Sequence, residues 1–319
     1  TFRGDFTSEG GAGPVELDIR QAAITLQLTD WLDLRAGRQV LTWGTGDFVF
    51  LSDLFPKDFV SFFIGRQDEF LKAPSNALKL TAYSGPVNVD LVWTPVFAPD
   101  RSITGERLSF FNPGVPGLVS ATSMGQPFEA RRPDRELSNG ELAGRLFRNV
   151  GGLELSLYGY LGYTKQPLAF DRAANMATHS EMGVYGGSAR ASVNGGIAHL
   201  EGAYYDSDDS DGTDPNVPNS QIRLLAGYER ELVANVTSGA QYYVEGTLDH
   251  DELVLNAPNP RFVASEFRHT ITGRLTHRLR QETLRLSLFG FYSPNDGDAH
   301  FRPSMSYKWS DAITTAAGA

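Results

Sequence analysis

Apolar and polar residues alternate one by one along most of the chain, in segments of roughly ten residues. In the segment 236–250, for example, Val236 and Val244 share one face, whereas Gln241 and Glu245 share the other. Side chains of a β-strand point alternately to its two faces, so a period of two predicts a strand. The pattern therefore predicts a protein built almost entirely from strands.

The alternating segments are separated by short polar turns and long connections in regular alternation. They pair as hairpins over 14–29/32–44, 76–83/87–97, 140–148/153–165, 181–193/197–207, 221–232/236–250 and 267–279/283–294, and are followed by 301–309 and a last segment that starts near Ala312. The long connections cover 45–75, 98–139, 166–180, 208–220, 251–266 and 295–300. Short turns at one end and long loops at the other predict an up-and-down meander.

Charged residues on the second face of these strands decide between a soluble sandwich and a membrane barrel. They are Lys79, Asp90, Glu141, Arg145, Glu154, Arg223, Arg274, Arg278, Arg285 and Arg302. A packed sandwich core would bury them at a cost of several kcal/mol for each unpaired charge, whereas a water-filled lumen would not. We therefore expect a single all-β domain over 1–319, a transmembrane antiparallel up-and-down β-barrel. About 14 strands are visible. Because bacterial barrels have even strand numbers with both termini on one side, we expect an ascending strand before 14–29 and one more strand after the last, and thus truncated ends and about 16 strands in the full protein. A complete 14-stranded barrel is the alternative.

Two of the predicted strands break the alternation. In 15–28 the apolar positions change from odd to even numbers, so we expect a β-bulge near Arg20–Gln21. In 32–43, Arg38 falls in phase with the apolar positions, so either its side chain snorkels or a second irregularity lies near Gly37.

Composition excludes several classes of protein. The formal charge is −10 and the pI is about 5.1, which argues against nucleic acid as a partner. There is no Cys, so disulfides, thiolate metal sites and a cysteine nucleophile are impossible. The six histidines are scattered without a catalytic motif. We predict neither enzymatic activity nor a cofactor.

The longest aromatic run follows the strand 32–44, in the connection 45–75. It contains more apolar side chains than a loop exposed to water would carry. We expect it to fold inward and narrow the pore, with polar edges supplied by Asp47, Asp53, Lys57, Asp58, Arg66 and Asp68. The alternatives are a cap on the barrel rim and an interface with a neighbouring subunit.

Charges on the inward face predict two opposed walls. Arg274, Arg278, Arg285 and Arg302 would form a basic wall, and Asp90, Glu141, Glu154 and Glu201 would form acidic positions. Such walls create a transverse field that orients dipolar solutes and tunes ion selectivity. Local salt bridges between neighbouring strands are the alternative.

Two further connections carry clustered charges. The long loop 98–139, predicted to be extracellular or folded inward, contains Arg131, Arg132 and Arg135, which either line an anion-selective vestibule or form solvated ion pairs. The loop 206–216 holds a secondary metal candidate, in which Asp206, Asp208, Asp209 and Asp211 would bind calcium. Its spacing does not match an EF-hand, so the favoured interpretation is a solvated loop, or one that faces lipopolysaccharide and is bridged to it by divalent cations.

Aromatic residues at the strand ends complete a resemblance. They are Trp43, Trp93, Tyr163, Tyr205, Tyr292 and Trp309. Together with the alternating strands, the absence of Cys and the acidic pI, they make the chain resemble Gram-negative outer-membrane porin-like barrels. The run GRQVLTWGTGDFVFLSDLFPKDF is similar to a segment of poorly characterised porin-like families.

The resemblance implies a location and a function. The location is the bacterial outer membrane, and the function is a channel for passive diffusion of small hydrophilic solutes or ions. The implied partners are membrane lipid and lipopolysaccharide, the small solutes or ions themselves, and either further copies of the chain or a partner protein. The alternative function is a barrel sheath or assembly partner for another outer-membrane, secreted or electron-transfer protein. An inward loop 45–75 would favour the channel and an outward one the sheath.

Overall fold

A computed structural model describes residues 1–8, 15–83, 85–111 and 118–318. Its strands are β1 (Phe2–Ser8), β2 (Val15–Thr29), β3 (Leu32–Val40), β4 (Pro74–Tyr83), β5 (Asn88–Thr94), β6 (Phe110–Phe111), β7 (Leu118–Val119), β8 (Ala130–Arg131), β9 (Glu141–Val150), β10 (Leu153–Tyr163), β11 (Ala169–Asp171), β12 (Met176–Thr178), β13 (Glu181–Val193), β14 (Gly196–Ser207), β15 (Gln221–Val233), β16 (Val236–Thr247), β17 (Phe267–Leu279), β18 (Leu284–Ser293), β19 (Asp298–Lys308) and β20 (Thr314–Gly318).

The helices are short and lie in the connections. They are α1 (Phe59–Phe63), α2 (Ala121–Met124) and α3 (His250–Asn256), with 3-10 turns at Asp68–Leu71, Leu137–Asn139 and Pro260–Phe262. Within the described ranges, no helix has both the length and the apolar character needed to cross a membrane.

One antiparallel sheet dominates the fold. Over the described residues, its 15 strands follow one another in chain order as β1–β5, β9, β10 and β13–β20. The remaining short strands form two small sheets in the long connections, β11–β12–β8 and β6–β7. The predicted meander of long antiparallel strands is thus confirmed.

The strand count differs from expectation by one. Residues Phe2–Ser8 form β1, which the sequence analysis did not assign, and they pair with β2 from Phe2↔Ala22 to Ser8↔Val15. The ascending strand expected to precede β2 is therefore part of this chain. In the described residues, β1 and β20 are the two edges of the sheet. A total of 16 strands in the full protein stays a prediction.

Both predicted irregularities are present. The β1–β2 register shifts so that Arg3 faces Gln21 and Gly4 faces Ile19, which leaves Arg20 as the extra residue of a bulge. In β3, Gly37 has φ of +120°, a conformation that favours glycine, and a Cβ there would lie 2.4 Å from the Ala22 carbonyl oxygen. The backbone conformation is therefore irregular beside Arg38, as one of the two interpretations of the sequence expected, although the pairing with β2 and β4 continues through Gly37 without a register shift.

The two faces of the sheet differ in character. The outward face exposes large apolar side chains on most of the main strands, including Ile24, Leu80, Leu157, Leu200, Leu224, Leu275 and Met305. A water-soluble protein would not leave such a continuous belt uncovered, whereas lipid solvates it. The inward face carries the buried polar side chains, so the alternation predicted from the sequence separates a lipid face from a lumen.

The aromatic strand ends do not all belong to the outward belt. Trp93, Tyr292 and Trp309 are exposed, but Trp43, Tyr163 and Tyr205 are buried on the inward side. Tyr205 donates a hydrogen bond to the Leu51 carbonyl oxygen at 2.5 Å. The position of a residue in the alternation, rather than its distance from the strand end, decides which face it occupies.

Candidate functional site: the inner loop and its cavities

Residues 41–73 connect β3 to β4 and lie against the inward face of the sheet; we call them the inner loop. Leu51, Leu54 and Phe55 join a buried cluster with inward residues of β5, β9, β10 and β13–β15. Phe62 and Leu71 form a second cluster with Phe289 of β18. The loop thus contacts widely separated strands, which requires the sheet to curl around it.

Polar side chains of two central strands hold the first half of the inner loop. The Glu201 carboxylate of β14 accepts hydrogen bonds from the backbone nitrogens of Thr45 at 2.6 Å and Ser52 at 2.8 Å. Gln241 of β16 accepts from the nitrogen of Asp47 at 2.8 Å and donates to its carbonyl oxygen at 2.9 Å. These bonds satisfy backbone groups that the turn would otherwise leave unpaired away from water.

Four charged side chains fix the inner loop to the last strands; we call them the charge latch. Arg274 of β17 holds both carboxylate oxygens of Asp47, at 2.5 and 3.0 Å, and Asp68 at 2.8 Å. Arg302 of β19 holds the other oxygen of Asp68 at 2.6 Å. Arg274 is 12% exposed and Arg302 only 2%. Paired charges in such a shielded position are stronger than surface ion pairs.

Phe48 sits at the centre of this attachment in an unusual conformation. Its φ is +62°, the left-handed region that a bulky side chain rarely adopts. Its ring makes edge contacts with Phe62 at 5.2 Å and Phe289 at 4.7 Å, and the Arg274 guanidinium lies 4.6 Å from the ring centre. The aromatic and cation–π contacts offset the backbone strain.

The six residues predicted at the constriction divide into two groups. Asp53, Lys57 and Asp58 are 2–4% exposed and bond within the loop: Lys57 to Asp53 at 3.0 Å, and Asp58 to Ser61 at 2.8 Å. The loop packing thus pairs their charges, and their part in a constriction stays a prediction. Asp47 and Asp68 remain partly exposed in the charge latch. Arg66, also partly exposed, donates to the Ser61 hydroxyl at 3.2 Å.

The predicted acidic wall is largely neutralised by neighbours. Asp90 pairs with Lys79 at 3.1 Å, and Glu154 pairs with Arg145 at 3.4 Å across adjacent strands. Glu141 pairs with Lys165, and Glu201 binds the inner loop as described above. At Asp90 and Glu154 the structure therefore shows salt bridges between neighbouring strands, which was the alternative interpretation of the sequence.

The four arginines of the predicted basic wall fall into two groups. Arg274 and Arg302 belong to the charge latch. Arg278 and Arg285 are exposed and lie directly opposite each other on β17 and β18, near the short-turn end. The four arginines therefore do not form one continuous surface.

The surroundings of Asp68 and Asp100, two carboxylates outside the strands, shift their pKa values in opposite directions. Burial alone would raise the pKa of Asp68, but the hydrogen bond from Arg302 and the charge of Arg274 outweigh it, and the net pKa is lowered. Burial raises the pKa of Asp100 to about 6, against the opposing charge of Lys57. Asp100 also accepts a hydrogen bond from the Lys57 backbone nitrogen at 2.7 Å.

Two cavities flank the inner loop. The outer cavity, of about 930 Å³, opens among the long connections and has Phe50, Tyr205, Arg223 and Phe262 in its lining. The side cavity, of about 410 Å³, lies between the loop and β1–β3, with Arg20 among its residues. Phe50 lines both cavities and therefore borders both spaces.

The other charged loops remain at the surface. Arg131, Arg132 and Arg135 are exposed, and Arg131 pairs with Asp171 at 2.7 Å. The residues Asp206, Asp208, Asp209 and Asp211 do not come together, and the described ranges contain no group of three carboxylate or imidazole residues able to hold a metal ion. Asp209 instead accepts a hydrogen bond from the Asp214 nitrogen at 2.7 Å.

Sequence reasoning missed several residues that position the loop. Gln241, Tyr205 and Arg20 all lie on the inward face, and Arg20 donates to the carbonyl oxygens of Glu69 at 2.9 Å and Lys72 at 2.7 Å. The alternation could have placed the first two inward, but nothing in it indicates which loop atom each would meet. Because Arg20 is the extra residue of the bulge, the alternation does not predict which face its side chain occupies.

Comparison with known proteins gives structural likeness without sequence relatives. No protein-family profile and no curated protein sequence matches the chain. A loop-deletion mutant of OmpT, an outer membrane protein of Vibrio cholerae, has a TM-score of 0.50 at 9% identity, covering 94% of this chain and 80% of that one.

Two proteins of other bacteria are also similar in structure. The outer membrane channel DcaP of Acinetobacter baumannii has a TM-score of 0.49 at 13% identity, covering 94% of this chain and 76% of that one. OccK2 of Pseudomonas aeruginosa, solved in complex with glucuronate, has a TM-score of 0.43 at 12% identity, covering 94% of this chain and 80% of that one.

At these identities the likeness is one of fold. The fold is that of an outer-membrane β-barrel, and the fold resemblance predicted from the sequence is confirmed. The apolar outer belt accords with the predicted location in the outer membrane.

Proposed function

We propose that this chain is a passive outer-membrane channel in which small hydrophilic solutes or ions cross beside the inner loop. The observation that carries the proposal is the pair of cavities on the two sides of the loop, of about 930 and 410 Å³, which meet at Phe50. A loop held against the wall restricts the lumen while leaving space at both sides.

The charge latch defines the polar part of the proposed constriction. Asp47 and Asp68 are 42% and 36% exposed, so they face water while their partners Arg274 and Arg302 are shielded. Two carboxylates thus balance two guanidinium groups. Such a balance favours passage of small polar solutes over strong selection for one sign of charge.

The position of the inner loop also bears on the sheath alternative. A barrel that encloses another protein needs an unobstructed lumen, and Leu51, Phe55 and Phe62 of the loop are buried against inward strands. The channel is therefore the favoured function. We propose no catalytic activity.

Conductance in planar bilayers tests the proposal. We expect discrete ion-conducting steps for the wild type and larger steps for Phe50→Ala, because the substitution joins the two cavities. Leu157→Ala is the matched control: Leu157 is 62% exposed on the outward face, so its truncation leaves the lumen unchanged.

The alternative outcomes distinguish the parts of the proposal. Absence of conductance in both proteins would refute the channel. Equal conductance of wild type and Phe50→Ala would keep the channel but move its narrowest part away from Phe50.

A further inference from the structure

The lining of the outer cavity brings aromatic rings together with neutral polar side chains. Its aromatic residues include Phe50 and Phe59 of the inner loop and Phe262 of the last 3-10 turn. Phe262 is 53% exposed. Removing apolar surface from water contributes about 25 cal/mol per Å², so a ligand with an apolar face is stabilised by covering such rings.

Several neutral polar side chains of the same lining have hydrogen-bonding capacity to spare. Over the described residues, the side chains of Gln166, Ser180 and Thr247 form no hydrogen bond with another residue. They belong to separate segments: Gln166 follows β10, Ser180 precedes β13, and Thr247 ends β16. Amide and hydroxyl groups both donate and accept hydrogen bonds, which matches a ligand that carries several hydroxyl groups.

The charged side chains of the lining, in contrast, have partners within the protein. The lining has five carboxylates and four cationic side chains, so it holds no surplus of positive charge. The cations form the pairs Lys57–Asp53 at 3.0 Å, Lys165–Glu141, Arg223–Glu245 at 3.2 Å and Arg268–Glu245 at 3.9 Å. The other carboxylates accept hydrogen bonds, Asp100 from the Lys57 nitrogen at 2.7 Å, Glu181 from Tyr163 at 3.3 Å and Asp206 from Tyr204 at 3.3 Å. A ligand without charge displaces none of these partners.

Size and chemistry together indicate a class of ligand. Binding pockets for small molecules commonly have volumes of about 300–1,000 Å³ and combine apolar surface with a few polar groups that orient the ligand. The outer cavity, at about 930 Å³, has this size and this combination. A neutral sugar ring carries hydroxyl groups around its edge and C–H groups on its faces, so it matches the free amide and hydroxyl groups as well as the aromatic rings.

We propose that the outer cavity is a binding site for small neutral sugars. The C–H face of the sugar would pack on Phe262 and Phe59, and its hydroxyl groups would bind Gln166, Ser180 and Thr247. This inference rests on the proposed channel function in naming the ligand as a solute that enters from the long-loop end.

Probes that differ in charge or in ring structure provide the test. Methyl glucoside is neutral, glucosamine adds an ammonium group and glucuronate adds a carboxylate, whereas sorbitol has the hydroxyl groups without the ring. In saturation-transfer difference NMR on the detergent-solubilised full chain, methyl glucoside should bind about fivefold more tightly than each of the others, whether or not the channel conducts. A charged probe loses hydration without gaining a free partner, and sorbitol has no rigid face to cover the rings. In single-channel recordings, methyl glucoside added at the long-loop end should interrupt the current.

Variants of the lining separate the two contributions. Phe262→Ser and Gln166→Leu should each weaken methyl glucoside binding about fivefold, which corresponds to about 1 kcal/mol. Leu255→Ser is the control for the first, because Leu255 is 77% exposed on α3 but does not line the cavity. Gln126→Leu is the control for the second, because Gln126 is also exposed and lies outside the lining. All four positions are accessible, so folding should be retained, which circular dichroism would verify.

The possible results lead to different conclusions. Equal binding of methyl glucoside and sorbitol, or no binding of either, would overturn the proposed site even if the channel conducts. Tighter binding of glucosamine or glucuronate would overturn the choice of a neutral ligand. Selective binding of methyl glucoside by NMR without conductance would support the site and refute the channel. Losses in the two control variants equal to those in Phe262→Ser and Gln166→Leu would also overturn the site.

Discussion

The two longest connections of the barrel have similar ingredients and opposite placements. The inner loop, 41–73, and the second connection, 95–140, both contain aromatic residues and charges of both signs. In the inner loop Asp53, Lys57 and Asp58 are buried, whereas in the described part of the second connection Arg131, Arg132 and Arg135 are exposed. The sheet supplies partners for the inner loop in Glu201, Gln241, Arg274 and Arg302. A charged loop packs inside the lumen where inward-facing side chains of the strands provide hydrogen-bond and ion-pair partners for it.

The beginning of the second connection nevertheless supports the first. Asp100 accepts a hydrogen bond from the Lys57 nitrogen at 2.7 Å, and Arg101 pairs with Asp58 at 3.3 Å. The distinction therefore lies between residues packed against the inner loop and those beyond them. Four experiments test this distinction.

Deleting residues 47–70 should have the largest effect. The deletion removes the loop segment that separates the two cavities, so bilayer conductance should rise several-fold. Deleting 131–136 from the exposed part of the second connection should leave conductance unchanged. An equal rise in both deletions would show that the two connections restrict the pore alike.

Loss of one latch residue should destabilise the protein measurably. Arg274→Gln leaves Asp47 without its bidentate partner and removes the cation from the Phe48 ring, at an expected cost of about 1–3 kcal/mol. Urea unfolding in detergent, followed by tryptophan fluorescence, measures this change. Arg278→Gln, on the same face of the same strand, is the control. An Arg274→Gln variant as stable as the wild type would show that the latch contributes nothing to the fold.

Asp100 should make the stability depend on pH. Its pKa of about 6 lies above the ordinary value of 3.8, so the folded state binds the proton more tightly than the unfolded state. Stability from this group is present below the unfolded pKa and is lost as pH rises through about 6. Asp100→Asn should therefore be more stable than wild type at pH 7.5, with the difference vanishing near pH 4. A difference independent of pH would contradict this assignment.

Arg131→Gln should have the smallest effect. The Arg131–Asp171 pair is exposed, and such pairs typically contribute between about 0 and 1 kcal/mol. We expect unfolding free energy within about 0.5 kcal/mol of the wild type. A loss as large as that of Arg274→Gln would remove the distinction between the two connections.

The strands could be predicted from the sequence because lipid on one side and a polar lumen on the other impose a strict period of two. The bulge at Arg20 and the irregularity at Gly37 followed from breaks in the same period. Strand β1 was missed although Phe2, Gly4 and Phe6 alternate with polar residues, because the segment is short and only its pairing with β2 reveals it.

The site was less predictable than the fold. The aromatic density of 45–75 correctly indicated packing, yet the pairs that hold it join residues as distant as Asp47 and Arg274, 227 positions apart. No local pattern encodes which inward arginine meets which carboxylate. For the same reason the burial of Asp53, Lys57 and Asp58 could not be distinguished from exposure at a pore.

The attachment of residues 66–72 has a consequence for the order of assembly. Arg20 near the beginning of the chain donates to the carbonyl oxygens of Glu69 and Lys72, whereas Arg302 donates to that of Arg66 from 236 positions away. Contacts with such large sequence separation form slowly, because closing the intervening chain must precede them. The inner loop can make its first contacts while the sheet is half built, but it reaches its final position only after β19 is in place. Narrowing of the lumen is therefore a late event in the folding of this barrel.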